Sequence, residues 1–145
     1  MGRSELKFEP PPAPIKIRIE TPLNPSEDPE KVATAIRNLT EGAAAELTIT
    51  KEKNCLVAET EDPTALSNIY QKIRARLSLG VARKHLRRNA SKKSTSLCFN
   101  KQAAYVKTLN ICEEETESPL GALKVIIRSR DLDKIIDWLA PQQLE

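Results

Sequence analysis

The sequence has few aromatic residues, four glycines and a single histidine, and it lacks long apolar runs. Five aromatic side chains are too few for the base-stacking platforms of many single-strand binders. Four glycines leave little room for a phosphate loop or a dinucleotide-binding fingerprint. One histidine and three separated cysteines do not support a zinc site, and we expect the cysteines to be buried thiols. No apolar stretch can span a bilayer and the N-terminus has no signal-peptide pattern, so we expect a cytoplasmic protein.

Acidic residues are absent between Pro63 and Cys112, and we call this stretch the acid-free segment. It holds eleven of the 23 Lys and Arg residues, so the rest of the chain has 12 basic and 20 acidic residues. The net charge of +3 therefore combines a segment near +11 with flanks near −8. Segregated positive charge attracts polyanions, and nucleic acid is the commonest polyanion in a cell. The alternative is a solvated helix face that keeps the protein in solution.

Apolar and charged residues alternate in Ile15–Thr21, which predicts a strand with one buried face. Asp28-Pro29 and Asp62-Pro63 predict two helix starts, because Asp caps free N–H groups and Pro has none to cap. The second helix is interrupted near Gly80, where its apolar stripe changes direction. The other predicted strands cover residues 46–50, 54–60, 95–100, 105–112 and 123–127. A last helix is predicted to be capped by Asp131.

This order of elements predicts one α+β domain over residues 15–141, with a disordered tail at 1–14 and a short tail at 142–145. Hairpins dominate the order, so the sheet is predicted to be largely antiparallel or mixed, with the helices on one face. Lys101 to Ala104 interrupt the strand pattern as a bulge or a helical turn. His85 has Lys and Arg as neighbours, and we expect it to be one more polar group on a basic face.

Candidate RNA-binding residues come from the second helix and the loop after it. On a straight helix Lys72, Arg76, Arg83 and Arg87 would lie nearly in line over about 22 Å. Such side chains neutralise phosphates without reading bases. Polar residues that interrupt a strand often face a partner, which adds two further candidates. The full set is Lys72, Arg76, Arg83, Lys84, Arg87, Arg88, Lys92, Lys93, Lys101 and Gln102. We predict no catalytic residue, metal ligand or cofactor.

Several blocks of the sequence resemble a small archaeal family of uncharacterised, predicted RNA-binding proteins. They are NKQAAYV from Asn100, ESPLGALKVII from Glu117, IDWLAP ending at Pro141, PSEDPEKVATAI from Pro25 and, more loosely, RARLSLGVARKHL from Arg74. The resemblance covers residues 15–141. It implies an α+β fold similar to the large-subunit ribosomal protein that binds 5S ribosomal RNA, a dimer, and an archaeal cytoplasm. It implies no catalytic or ligand residue.

Charge and resemblance together predict a non-catalytic protein that binds the phosphate backbone of structured RNA, ribosomal or tRNA-like, through a basic helix and loop. The alternative is a protein-interaction or dimerisation module, in which the basic helix docks on an acidic surface such as that of a second copy. An enzyme is the least favoured class, because the sequence contains no phosphate loop and no nucleophile elbow.

Overall fold

The computed structural model describes residues 8–44, 46–75, 78–113 and 120–142. Within these residues, five strands, five helices and a short 3₁₀ turn follow one another along the chain. They are β1 (Lys16–Pro22), α1 (Pro29–Leu39), β2 (Ile49–Glu52), β3 (Cys55–Thr60), the 3₁₀ turn (Pro63–Leu66), α2 (Ser67–Ala75), α3 (Leu79–Arg88), β4 (Ser94–Asn100), α4 (Lys101–Tyr105), β5 (Ala122–Arg128) and α5 (Leu132–Leu139). No helix in the described part of the chain is long and apolar enough to cross a membrane.

The strands form one antiparallel sheet in the order β2-β3-β1-β5-β4. β1 lies at its centre and pairs with β3 on one edge and with β5 on the other. Ile17 and Ile19 point to the helical side and are fully buried, whereas Arg18 and Glu20 point to the other side. The helices cover the side that carries Leu97 and Phe99 of β4 and Leu123, Val125 and Ile127 of β5. The predicted α+β class is therefore confirmed. The likeness to the ribosomal protein stays a prediction.

Both Asp-Pro pairs begin helical structure. Asp28 accepts a hydrogen bond from Glu30 N at the start of α1, and Asp62 accepts one from Thr64 N at the start of the 3₁₀ turn. The predicted interruption near Gly80 separates α2 from α3. At α5, Asp131 holds the capping position but makes no side-chain capping bond, and Ser129 Oγ instead accepts a bond from Asp131 N.

The strand predicted over residues 105–112 is wrong for most of its length. The interruption predicted at Lys101 to Ala104 is a helical turn, α4, in which Asn100 Oδ1 accepts from Ala103 N at the start and Asn38 donates to the carbonyls of Ala104 and Tyr105 at the end. The amides of residues 106–108 still bond back to the carbonyls of Ala103 and Ala104, so these residues close the helix and do not pair with a strand. Only the far end of the predicted strand runs beside β4, with hydrogen bonds between residues 100 and 110 and between 98 and 112. Alternation over a short stretch does not outweigh caps at both ends of a helix.

The described N-terminal residues pack on the domain. Phe8 lies edge-on to Tyr70 and Trp138, with ring centroids 5.2 Å away in both cases. Tyr70 and Trp138 stack on each other at 5.4 Å. We call these three residues the aromatic cluster. The domain boundary predicted at residue 15 leaves Phe8 out of the fold. The proline-rich segment between Phe8 and residue 15 has no alternation or helical periodicity that would predict its packing on the domain.

Candidate nucleic-acid interface

The acid-free segment contributes α2, α3, β4 and α4, and α3 with the turn after it carries most of its charge. Ala82, His85 and Leu86 bury one side of α3 against the sheet. Thr95 Oγ1 donates to the carbonyl of Leu86, and Asn89 Nδ2 donates to the carbonyl of Ser96. These bonds hold the C-terminal end of α3 beside the start of β4, which is an edge strand of the sheet.

One side of α3 faces α5 and is occupied by it. Arg83 Nη1 lies 2.8 Å from Asp137 Oδ1 and donates to the carbonyl of Ala140. Arg87 Nη1 lies 3.0 Å from Asp133 Oδ1. Cations beside carboxylates and the C-terminal carbonyls of a helix are favourable. Two of the four residues of the basic ridge that the sequence suggests, Arg83 and Arg87, therefore pair with carboxylates of α5.

Arg74 also holds α5. It donates to the carbonyls of Tyr70, Trp138 and Leu139, and its guanidinium lies 3.5 Å from the centre of the Tyr70 ring. Burial lowers the pKa of Arg74, because the described residues give it no carboxylate and its partners are carbonyls and a ring. Arg74 is thus a structural part of the helix packing.

The opposite side of α3 carries Lys84 and Arg88, one turn apart and both exposed. Arg88 Nη2 donates to His85 Nδ1 at 3.0 Å and reaches the carbonyl of Glu113 at 3.4 Å. His85 is only 2% exposed, so the expectation that it lies on the basic face is wrong. Its place on α3 turns it towards the sheet, where its Nε2 lies 3.6 Å from Glu113 Oε2.

A tight turn between α3 and β4 presents two adjacent lysines. Ser91 N donates to the carbonyl of Ser94 at 2.7 Å, and the two hydroxyls are 3.0 Å apart, so Lys92 and Lys93 lie at the tip. Both are exposed. Within the described ranges, the ammonium groups of Lys84, Lys92 and Lys93 have no carboxylate partner. We call Lys84, Arg88, Lys92 and Lys93 the basic edge.

A cleft of about 770 Å³ adjoins the turn at the same end of the sheet. Lys93 lines it together with Lys16, Arg128 and Arg130, which the sequence reasoning missed. These residues belong to the start of β1 and the end of β5 and are distant in sequence. Only the strand register brings them together, so no local pattern could have found them.

Lys101 does not face a partner. Its side chain is 4% exposed, and its ammonium bonds both oxygens of Glu27, at 3.1 and 3.2 Å, and the carbonyls of Pro22 and Leu120, at 2.7 and 2.8 Å. Gln102 is exposed, but it lies beyond the far end of β4 from Lys93, and β4 alone spans about 20 Å at roughly 3.3 Å per residue. Neither residue belongs to the basic edge.

The two candidates on α2 contribute less to a defined site. Lys72 is half-buried and lines a shallow depression with Ser78, Val81 and Asn110. Arg76 lies outside the described residues.

The aromatic side chains do not form a platform for bases. Phe99 is fully buried, and Phe8, Tyr70 and Trp138 pack together in the aromatic cluster, which leaves Tyr105 as the one aromatic residue that is largely exposed. Among the described residues, no group of three or more His, Cys, Asp or Glu side chains is arranged to hold a metal ion. Of the cysteines, Cys112 is buried, and Cys55 and Cys98 are half-buried.

Comparison with known proteins finds relatives over most of the chain. Residues 16–129 match a family model described as RNA binding. The chain is 39% identical over 127 residues to a UPF0201 protein of Sulfurisphaera tokodaii, and the match covers 88% of each protein. It is 40% identical over 130 residues to a UPF0201 protein of Methanothermobacter thermautotrophicus, with 87% of this chain and 91% of the relative covered. The crystal structure of a UPF0201 protein from Methanococcus jannaschii superposes with a TM-score of 0.72 at 27% identity, over 89% of this chain and 95% of that one.

Proposed function

Because the chain belongs to the archaeal UPF0201 family and also matches a family model described as RNA binding, we propose that it binds structured RNA through the phosphate backbone. The basic edge is the proposed contact surface. Lys84, Lys92 and Lys93 neutralise phosphates, and Arg88 donates from the end of α3. The proposal assigns no catalytic step to the chain.

One observation carries the proposal: the lysines of the basic edge are exposed and have no carboxylate partner in the described part of the chain. A cation already held by a carboxylate must lose that partner before it binds a phosphate, whereas a solvated lysine releases only counterions from the nucleic acid. Arg83 pairs with Asp137 and donates to the carbonyl of Ala140 at the end of α5, so we place it outside the interface. Arg87 is different, because Asp133 is 85% exposed and such pairs are worth little. Arg87 can therefore turn to a phosphate at small cost.

The placement of the aromatic side chains favours recognition of an RNA by its shape. Single-stranded RNA is usually held by bases stacked on aromatic rings, and four of the five rings are buried or packed together. Lysines on a helix end and a turn instead suit the regularly spaced phosphates of a folded RNA. The identity of that RNA as ribosomal or tRNA-like and the dimer implied by the family resemblance stay predictions.

Charge removal at the basic edge tests the proposal. We expect the wild type to bind a mixed-sequence RNA hairpin more tightly than an unstructured strand of the same length. The variant Lys84→Gln/Lys92→Gln is expected to lower the slope of log affinity against log salt by about 2 and the affinity by tenfold or more, at roughly one unit of slope for each phosphate contact.

A matched control removes the same charge elsewhere. Lys31 lies on α1 and Lys51 on β2, which is the sheet edge opposite β4, and both are exposed. The variant Lys31→Gln/Lys51→Gln should bind nearly as well as the wild type. Equal losses in the two double variants, or a wild type without measurable RNA affinity, would refute the proposal.

A further inference from the structure

The cleft beside the basic edge concentrates positive charge from three parts of the fold. Lys16 begins β1, Arg128 and Arg130 lie at and just after the end of β5, and Lys93 belongs to the turn before β4. Among the described residues that line the cleft, Glu61 is the only one with a carboxylate, so their formal charge is +3. All four cations are exposed, and none forms an ion pair within the residues that the structure describes.

The strand register places like charges side by side. Lys16 on β1 is directly opposite Arg128 on β5, and Arg128 is directly opposite Ser94 on β4. Like charges directly opposite each other in an antiparallel pair are destabilising. The repulsion between Lys16 and Arg128 destabilises the sheet, and an anion bound between the two side chains would reduce that repulsion.

Hydroxyl groups supply neutral donors at the same place. Ser129 Oγ accepts a hydrogen bond from Asp131 N, which leaves its own proton available to donate. Ser91 Oγ donates to the Ser94 carbonyl at 3.2 Å and lies 3.0 Å from the Ser94 hydroxyl, so the Ser91 proton is already used within the turn and Ser94 Oγ is the second hydroxyl near the cleft. Guanidinium groups combined with hydroxyl donors match the three or four oxygens of a phosphate.

We propose that this cleft is a phosphate-binding site that extends the basic edge, an inference that rests on the proposed function. Lys93 belongs to both surfaces, and Ser129 N donates to its carbonyl at 2.9 Å, which ties the turn to the end of β5. An RNA strand that crosses the turn therefore enters the cleft. The phosphate is either an internal diester of that strand or the monoester at its end, since both present the same anionic oxygens.

The test compares Arg128→Gln/Arg130→Gln with the control Lys31→Gln/Lys51→Gln on two mixed-sequence RNA hairpins, one with a 5′-phosphate and one with a 5′-hydroxyl. Both substituted arginines are exposed, so thermal unfolding should be unchanged within a few degrees. We expect the arginine variant to bind about tenfold more weakly than the control, with a smaller salt slope. The variant Arg128→Lys/Arg130→Lys retains the charge and should recover part of the loss.

The two hairpins separate the two sources of phosphate. An equal loss on both hairpins supports an internal diester, and a loss confined to the phosphorylated hairpin supports the terminal monoester. If the wild type and Lys84→Gln/Lys92→Gln behave as proposed but the arginine variant binds like the control, the cleft inference alone is overturned. If the wild type binds neither hairpin, both the RNA proposal and the inference fail.

Discussion

The buried ion pair between Lys101 and Glu27 gives the strongest stability prediction. The Lys101 side chain is 4% exposed and that of Glu27 is 10% exposed. The ammonium also bonds two carbonyls, so it joins the loop after β1, the start of α4 and the turn before β5. The substitution Lys101→Met keeps the length of the side chain but leaves the Glu27 carboxylate and the two carbonyls without this donor.

Removing one member of a buried pair typically costs about 3–5 kcal/mol, because the other charge stays buried without its partner. For a chain of this size we expect Lys101→Met to lower the melting temperature by about 10–15 °C in calorimetry. The double variant Lys101→Met/Glu27→Gln should be more stable than the sum of the single effects, since no charge is then left behind. The control Arg87→Gln breaks an exposed pair and should cost less than about 1 kcal/mol. A loss below about 1 kcal/mol for Lys101→Met, similar to the control, would refute this account.

Three further predictions concern pH, the N-terminal segment and a tight turn. Burial alone would raise the pKa of Glu27, but hydrogen bonds from Asn24 and Lys101 outweigh it and hold the pKa below the ordinary value of a glutamate. The contribution of this carboxylate to the free energy of unfolding is therefore fully present above its unfolded-state pKa and is lost as the pH falls through its folded-state pKa. Acid should therefore lower the stability measured by urea unfolding less in Glu27→Gln than in the wild type. Phe8→Ala should cost about 2 kcal/mol in chemical denaturation, because it empties part of the aromatic cluster; no change would place Phe8 off the fold. Gly121→Ala should lower the melting temperature, since φ is +89° and a Cβ would overlap the ring of Pro22; a wild-type melting curve would contradict that turn geometry.

Much of the fold could be predicted because its signals are local. Alternation in β1, the Asp-Pro starts at residues 28–29 and 62–63, and the change of stripe near Gly80 each depend on neighbours along the chain. The strand predicted from residue 105 begins too early, because the end of α4 is held by Asn38, which lies on α1 and is distant in sequence. Phe8 was omitted for the same reason, since its partners lie on α2 and α5.

The candidate site could be predicted less well, because charge along a sequence does not determine charge on a surface. The acid-free segment contains no acidic residue, yet Arg83 and Arg87 find carboxylates on α5 and Lys101 finds Glu27. Periodicity places a residue on a helix face but does not say which element covers that face. The cleft at Arg128 is the opposite case, in which residues without a local signal are gathered by strand pairing.

Mapping the surface that RNA contacts tests the central claim most directly. NMR can follow the backbone amide chemical shift of each residue while the wild-type protein is titrated with an RNA hairpin. The titration is done at about 0.1 M salt, where exposed charges are only partly screened. We predict that the largest changes fall on residues 84–94 and extend to residues 128–130. Changes confined to α1, the β2–β3 hairpin or α4, with residues 84–94 unaffected at saturation, would contradict the claim.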